Sequence, residues 1–430
     1  MKRRALLLLC VLAPLPAPLA AAGFGLFQHG GRGAAQAGAF VARADEPSAV
    51  RYNPAGIARL EGFQLEAGLD FQAPKDELDT AGRSDLAHHI IQFPAALYAT
   101  WKPKELALPL AFGLSVDAPF WTITNWDTAL FPGRFDTIRQ ETSLFELRPT
   151  VAWAIDERWS LGGSLRYVRG GFETSFASLE TFHGGAQGLV PAEINAEAAS
   201  QVDGLGFDLG VQYVATRWGW GAVLGSGIAL EGSGDIGYFP RDAFTNATAE
   251  AAFNRRFVSS SASMNFELPP TASVGVWWGI TDSLKLEGDI AWSGWSALDR
   301  TRIEITNNPY RLYGSGEPEA LDRPRDWKDV VSLRLGAEWT LSPQWALGGG
   351  IALEPSPVPE ATIEPGFPQG DALVLAFGAS YNLPGLSFDA GYSYHQHSDA
   401  DVRLDGPGQP VDGTFSGRAQ VFSISARWRR

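Results

Sequence analysis

Residues 284–292 read LKLEGDIAW, and the alternation in this stretch decides the fold. Apolar side chains stand at 284, 286, 290 and 292, whereas charged side chains stand at 285, 287 and 289. A period of two is that of a β-strand whose two faces meet different surroundings. The same alternation recurs at 331–339 and at 422–428. The chain is therefore predicted to be all-β.

Following this alternation along the chain predicts fourteen strands, joined in turn by short and long connections. The predicted strands span 61–73, 88–101, 107–121, 141–155, 159–174, 201–216, 218–231, 266–280, 283–297, 327–341, 344–355, 371–383, 385–399 and 416–430. An even strand count with regularly alternating turns and loops is typical of an outer-membrane barrel. We predict a transmembrane antiparallel β-barrel of about 14 strands in the bacterial outer membrane.

The tryptophans form two groups that agree with this prediction. One group lies next to the short connections, at 101, 153, 159, 218, 278, 339 and 345. The other lies near the long ones, at 121, 126, 292, 295 and 327. Amphipathic rings collect at the two membrane–water interfaces, which predicts two such groups in a barrel.

Residues 1–22 have the pattern of a secretory signal peptide. Basic residues at 2–4 precede an apolar run, and alanines at 20–22 offer a cleavage site. Cys10, the only cysteine, lies inside this signal, so thiol catalysis and cysteine-based zinc sites are excluded from the mature chain. The net charge of −14 argues against a nucleic-acid partner.

The segment between the signal and the first strand, residues 23–60, is rich in Gly and Ala. From Gly30 to Gly62 it reads GGRGAAQAGAFVARADEPSAVRYNPAGIARLEG. Such a segment has too few large apolar side chains for a core of its own and needs a wall to pack against. The strands predicted for residues 61–430 are the expected wall, and residues 23–60 are called the hatch below.

The hatch sequence is one of three stretches that carry a family resemblance. The other two are LPPTASVGVWWGITDSLKLEGDIAWSGWSALD (268–299) and WKDVVSLRLGAEWTLSPQWALGGGIALEPSPVP (327–359). Together they resemble the long-chain fatty acid transporter (FadL/TodX-type) family of outer-membrane proteins. The resemblance implies a lumen plugged by the hatch. It also implies passive diffusion of hydrophobic molecules, which leave sideways beside a kinked third strand.

Asn53, Pro54 and Ala55 match the hatch motif of that family. The resemblance therefore implies a gating role for these three residues. An ordinary turn into the first strand is the alternative for the same tetrapeptide, Asn53 to Gly56, because Asn, Pro and Gly are common turn residues.

The predicted third strand contains Asp117, Pro119, Phe120 and Trp121, where the resemblance implies the kink and the lateral opening. Proline cannot donate to a strand ladder, so Pro119 suits an interruption. The family often has Gly where this chain has the bulky Trp121. A plain strand end is the alternative.

Four cations at strand positions that are predicted to face the lumen are candidates to orient a carboxylate headgroup: Arg148, Arg166, Lys285 and Arg334. Arginine binds carboxylates through two parallel hydrogen bonds. The alternative is that these cations are solvated or paired with lumen carboxylates. Long loops also carry aromatic clusters, at 172–182 and 238–257, which form either a landing surface for apolar cargo or the internal packing of the loops.

The predicted function is passive transport of hydrophobic molecules, captured on the loops and released through the barrel wall. Long-chain fatty acids are the first candidate cargo, with alkane or aromatic hydrocarbons and a water-filled porin as alternatives. His395, His397 and Asp399 share one strand face but lack a nucleophile or further ligands, so we predict no enzyme, no cofactor and no metal. The expected partners are hydrophobic small molecules and outer-membrane lipid, and the expected state is a monomer.

Overall fold

A computed structural model describes residues 30–88, 90–104, 106, 108–126, 130–306, 321–368, 370–404 and 410–430. The predicted signal peptide, 1–22, and residues 23–29 of the hatch lie outside this part of the chain. Within the described ranges, no helix is long and apolar enough to cross a membrane.

The described residues contain twenty strands and several short helices. The strands are Gly62–Thr80 (β1), Arg83–Leu86 (β2), Ala95–Lys102 (β3), Leu110–Asn125 (β4), Arg139–Ala154 (β5), Trp159–His183 (β6), Leu189–Val214 (β7), Trp218–Gly225 (β8), Ile228–Pro240 (β9), Ser260–Leu268 (β10), Thr271–Gly279 (β11), Leu284–Ser293 (β12), Arg300–Ile305 (β13), Leu321–Pro324 (β14), Val330–Thr340 (β15), Trp345–Glu354 (β16), Ala372–Leu383 (β17), Leu386–His397 (β18), Ala400–Leu404 (β19) and Val411–Arg429 (β20). The α-helices are Gly31–Ala34 (α1), Ala49–Tyr52 (α2) and Ala247–Arg256 (α3). Single 3-10 turns cover Pro54–Arg59, Pro132–Phe135, Gly185–Gln187, Trp295–Ala297 and Glu360–Thr362.

Fourteen of these strands close into an antiparallel barrel, as predicted. In order around the wall they are β1, β3 to β8, β11, β12, β15 to β18 and β20. The ring closes where β1 pairs with β20, from Gln64–Arg429 to Thr80–Gly413. A closed sheet leaves no free edge, which is how strands satisfy their backbone groups in lipid.

Longer strands and additional strands correct the predicted loops. The predicted loop 175–200 is mostly strand, because β6 runs to His183 and β7 begins at Leu189. The predicted loop 232–262 includes most of β9, which pairs with the outer half of β7, and the start of β10. The predicted strand 266–280 is in fact split between β10 and β11, since Pro269 and Pro270 cannot donate to a ladder. The predicted strand 218–231 likewise splits after Gly225.

Burial along the strands is the reverse of that in a soluble protein, as the alternation predicts for a barrel. In β15, Leu333 and Leu335 are about half exposed, whereas Ser332 and Arg334, which alternate with them, are buried. The apolar face therefore points outward to lipid, and the polar face points into the lumen.

The hatch lies against the inner faces of strands on separate sides of the barrel. Val50 and Ile57 pack with alanines and a tyrosine of β3, β4 and β5. Ala37 packs with Ala352, Val374 and Ala376 of β16 and β17. The described part of the hatch therefore spans the lumen and is buried for most of its length.

Candidate functional site

The motif Asn53-Pro54-Ala55 begins the 3-10 turn Pro54–Arg59. The Asn53 Oδ1 accepts from the Ala55 N–H (3.1 Å) and so caps this turn, while Pro54 occupies a first position that needs no N–H. The Asn53 Nδ2 donates to the Val41 carbonyl of the hatch (3.0 Å) and to the Val211 carbonyl of β7 (3.2 Å). One buried amide therefore joins two parts of the hatch to the wall.

Glycines on the inner face of the wall make room for this motif, and the sequence analysis missed them. A Cβ on Gly162 of β6 would lie 2.3 Å from the Pro54 carbonyl carbon. A Cβ on Gly210 of β7 would lie 2.3 Å from the Asn53 Oδ1, and one on Gly221 of β8 would lie 2.6 Å from the Val41 oxygen. The available signal was a glycine at inner parity beside a large outward residue, as in Leu161-Gly162 and Leu209-Gly210.

Two carboxylates of β12 hold the hatch loop 40–43. The Asp289 Oδ2 accepts from the N–H groups of Phe40 (2.8 Å) and Val41 (3.0 Å). The Glu287 Oε1 accepts from the N–H groups of Ala42 (2.7 Å) and Arg43 (3.1 Å). Four backbone N–H groups of the hatch thus bond to two side chains of β12, so the acidic residues of the stretch 284–292 anchor the hatch.

Arg32 of α1 ties a second part of the hatch to the wall. Its Nε and Nη2 form a bidentate pair with Glu338 of β15 (2.6 and 3.1 Å). Its Nη1 contacts Asp45 (2.6 Å) and Glu46 (3.1 Å) within the hatch. Burial disfavours the charge on Arg32, but Asp45, Glu338 and Glu46 hold the pKa of its guanidinium well above its usual range.

A β-bulge interrupts β4 at the predicted kink. Asp117 pairs with Glu146 of β5, but Phe120 pairs with Leu144, so β4 has one residue more than β5 over this interval. The extra residue reverses the parity of the strand. Phe120 is consequently buried on the inner side, whereas Trp121 lies on the outer side with its ring edge on Phe145 (5.4 Å between centroids). Trp121 therefore does not fill the lumen.

The ladder between β3 and β4 ends just before this bulge. Its pairs run from Trp101–Phe112 to Leu97–Val116 and go no further. The chain before β3 instead follows β1, where the Asp70 N–H donates to the Pro94 carbonyl (3.0 Å). Beyond Val116, β3 and β4 therefore diverge beside the inward Phe120.

Arg148 of β5 and Arg166 of β6 lie in one buried network with two carboxylates. Glu146 accepts from the Nε and Nη2 of Arg148 (2.9 and 2.6 Å) and from the same two nitrogens of Arg166 (2.8 and 3.2 Å). Asp208 of β7 contacts the remaining Nη1 of each arginine, at 2.8 and 3.5 Å. Every guanidinium nitrogen of both arginines thus faces a carboxylate.

The hatch and the bulge meet through Arg51, which the sequence analysis did not single out. Its Nε lies 3.7 Å from the Asp117 Oδ2, and its Nη1 lies 3.8 Å from the Glu146 Oε2. Arg51 lies in the last turn of α2, two residues before Asn53. A movement of the hatch motif would therefore change the charges that surround the bulge.

A cavity of about 110 Å³ lies between the hatch and the wall beside this network. Its polar side is formed by Arg51, Arg148, Arg166, Asp208 and Arg334, and its apolar side includes Phe120, Val223, Ala291, Trp292 and Trp295. Three of the four predicted cations therefore line one cavity. The fourth, Lys285, lies elsewhere, with its Nζ 6.0 Å from the centre of the Trp277 ring.

The aromatic clusters predicted for the long loops pack mostly on one another. Phe182 contacts Phe253 and Phe257 with ring centroids 6.0 and 5.9 Å apart, and α3 thereby covers the outer ends of β6 and β7. Leu179 and Phe239 remain exposed beside this cluster. Internal packing accounts for most of these residues, and a smaller apolar surface remains.

The two histidines of β18 contact a hydroxyl group and a backbone carbonyl. The His395 Nε2 lies 3.0 Å from the Ser393 Oγ, and the His397 Nδ1 lies 3.3 Å from the Gly370 carbonyl. Among the residues that the structure describes, no group of three or more His, Cys, Asp or Glu side chains could hold a metal ion.

A comparison with protein families matches almost the whole chain. The model of the family described as outer membrane protein transport protein (OMPP1/FadL/TodX) matches residues 16–429. A curated relative, the alkane uptake protein A of Marinobacter nauticus, is 30% identical over 167 residues, which cover 36% of this chain and 35% of the relative.

Solved structures share the same fold. A Pseudomonas aeruginosa FadL homologue has a TM-score of 0.81 at 20% identity, covering 95% of this chain and 100% of the homologue. The Ralstonia pickettii toluene transporter TbuX has a TM-score of 0.67 at 17% identity, covering 94% and 100%. At these identities the likeness establishes the fold.

Proposed function

This chain belongs to the OMPP1/FadL/TodX family of outer-membrane transport proteins, and we propose that it takes up hydrophobic molecules passively through the barrel wall. It is a transporter and not an enzyme. Cargo adsorbs on the exposed apolar residues of the outer strands, enters the cavity lined by Phe120 and the tryptophans, and leaves sideways between β3 and β4.

The observation that carries this proposal is the end of the β3–β4 ladder at Leu97–Val116, beside the bulge in β4. A barrel wall in lipid normally keeps every backbone group paired. Here two neighbouring strands separate at the level where Phe120 turns its ring into the cavity. An apolar molecule in that cavity therefore lies beside the part of the wall where the ladder between β3 and β4 is interrupted.

The hatch argues against the alternative of a water-filled porin. It is held to the wall by buried bonds from Asn53, Glu287 and Asp289, and by the bidentate pair of Arg32 with Glu338. Glycines on the inner wall bring the hatch into close contact with the strands. This packing supports a closed axial path.

Long-chain fatty acids, the cargo implied by the resemblance, need a cation for the carboxylate. Arg148 and Arg166 already direct all their guanidinium nitrogens to Glu146 and Asp208. Separating such a pair inside a protein costs several kcal/mol, on the order of 3 to 5. This pairing favours a second candidate, uncharged alkane or aromatic hydrocarbons, which ask for no cation.

The experiment compares cargo in Gram-negative cells that lack other transporters of this family. Cells with and without the protein are given oleate, oleyl alcohol and hexadecane, and uptake into the cell is measured. The first two differ only in the charged group. Uptake of all three supports hydrophobic transport without a headgroup site, whereas a strong preference for oleate would refute the uncharged candidate. If the protein increases none of them, the proposed function is wrong.

A further inference from the structure

The wall beyond the end of the β3–β4 ladder contains a bridge made by one side chain. Ala87, Gln92 and Pro94, which precede β3, are bonded to β1 through the backbone. Gln92 and Gln72 exchange both backbone hydrogen bonds (3.0 Å each), and the Ala87 N–H donates to the Asp76 carbonyl (3.0 Å). The backbone at Ala87 and Gln92 thus belongs to the β1 side of the seam.

The side chain of Gln92 reaches across the seam to β4. In the orientation of its amide that satisfies both groups, the Nε2 donates to the Trp121 carbonyl (3.1 Å) and the Oε1 accepts from the Ile123 N–H (3.1 Å). These are the donor and acceptor that a peptide group of a neighbouring strand would offer to β4. The Gln92 amide therefore takes the place of a missing strand residue, and its side chain is buried.

This bridge lies between the bulge and the outer end of β4. On one side of it the ladder resumes only at Leu97–Val116. On the other side the His88 N–H donates to the Asn125 carbonyl (2.6 Å). Between the bridge and the resumed ladder stand Pro94 and Pro119, which have no N–H with which to extend a ladder.

We propose that the Gln92 amide is the latch of the lateral opening, a gating residue that limits the size of the cargo that leaves through the wall. The proposal rests on the lateral exit of the proposed function. A side-chain amide can rotate away while β1 and β4 keep their own ladders, whereas parting two paired strands would break several backbone bonds at once. When the latch is open, the gap extends from Asp117 past Trp121 towards Asn125.

The bonds themselves are tested by hydrogen exchange of the Ile123 amide in the purified full-length protein. In Gln92→Leu, which retains the approximate size without any polar atom, this amide should exchange faster. In Gln92→Glu the carboxylate still accepts from Ile123, so exchange should remain slow. The control is Gln420→Leu, because Gln420 bonds to Tyr392 in a seam whose ladder is complete. Unchanged Ile123 exchange in Gln92→Leu would overturn the latch.

The gating role is tested by cargo size in whole cells. Gln92→Leu should raise the uptake of the bulky hydrocarbon pyrene about tenfold, which corresponds to the loss of about 1.4 kcal/mol of hydrogen bonding, and change hexadecane uptake little. A gain of this kind cannot come from a variant that merely folds poorly. Equal pyrene uptake by wild type and Gln92→Leu, in cells where the wild type does transport, would overturn the latch alone. If the wild type increases the uptake of none of pyrene, hexadecane, oleyl alcohol and oleate, the proposed function is refuted instead, whatever the exchange of Ile123.

Discussion

The contact between hatch and wall differs in kind from the seam between β3 and β4. The hatch is joined to the wall by buried bonds of Glu287, Asp289 and Arg32, and glycines bring the two surfaces together. The seam has a ladder that ends at Leu97–Val116 and then a side-chain bridge. The axial path is thus closed by many interdependent bonds and the lateral path by few. The difference indicates that passage through the wall needs less rearrangement than passage past the hatch.

The largest effect should follow from removing the hatch, which closes the axial path. Deleting residues 23–55 removes the hatch contacts with β12 and β15 and the Asn53 bond to β7, and it leaves Glu287, Asp289 and Glu338 facing an open lumen. We expect a barrel that conducts ions steadily in planar bilayers, while the full chain conducts little. Selective uptake of hydrophobic cargo should be lost as well.

The control for this deletion is the full chain in the same bilayers. If the full chain conducts as well as the deletion variant, then the hatch does not close the axial path. The conclusion that the axial path is closed more strongly than the lateral path would then be wrong.

A second prediction concerns a variant that closes the seam between β3 and β4. Deleting Ala118 and replacing Pro119 by Val removes the extra residue of the bulge and restores a backbone donor, while Phe120 keeps its inward parity. A ladder can then continue past Val116. Uptake of hydrophobic cargo should fall by about tenfold or more, since each further backbone bond contributes about 1 kcal/mol to keeping the wall shut.

Folding is checked in this variant by its resistance to thermal unfolding, which should be equal to that of the wild type or higher. Pro119→Val alone, with Ala118 kept, is the matched control, because the bulge remains. Wild-type uptake by a well-folded deletion variant would show that cargo leaves by another route.

Much of this comparison was accessible from the sequence, because strand parity and proline are local signals. The alternation of Leu333 and Leu335 with Ser332 and Arg334 predicts which face meets lipid. Pro119 indicates an interruption of the third strand. The sequence could not predict the side of the wall on which the Trp121 side chain lies, because this depends on the register of β4 and β5 across the bulge.

The missed features are those in which distant parts of the chain meet. An inner glycine such as Gly162 has no side chain to form a pattern, and its role is apparent only from its distance to Pro54. The role of Gln92 depends on a partner strand that lies 29 and 31 residues further along, at Trp121 and Ile123. Arg148 and Arg166 were found as inner cations, but their pairing with Asp208 requires the order of β5, β6 and β7.

A third prediction concerns a variant in which one added methyl group loosens the contact between the hatch and the wall. In Gly162→Ala the new Cβ would lie 2.3 Å from the Pro54 carbonyl carbon, so the hatch has to shift. Overpacking of this kind costs about 1 to 3 kcal/mol. Limited proteolysis should cut the hatch of this variant faster than that of the wild type. The control is the adjacent Gly163→Ala, whose Cβ would have Leu209 at 3.5 Å as its nearest neighbour. Equal proteolysis of the two variants would argue against the glycine fit.

A fourth prediction concerns Asn53, where three hydrogen bonds are lost without any clash. Asn53→Ala leaves the Ala55 N–H and the carbonyls of Val41 and Val211 without this partner. Because each buried group left without a partner costs about 1 to 3 kcal/mol, the hatch should become more accessible to protease than in the wild type. Asn53→Asp separates the two parts of the contact: it keeps the acceptor for Ala55 but faces the two carbonyls with a carboxylate. If the wall contact matters more than the cap, Asn53→Asp will be cut at least as fast as Asn53→Ala. If Asn53→Asp instead behaves as the wild type, the cap alone fixes the motif, and the Val211 bond is not what holds this part of the hatch to β7.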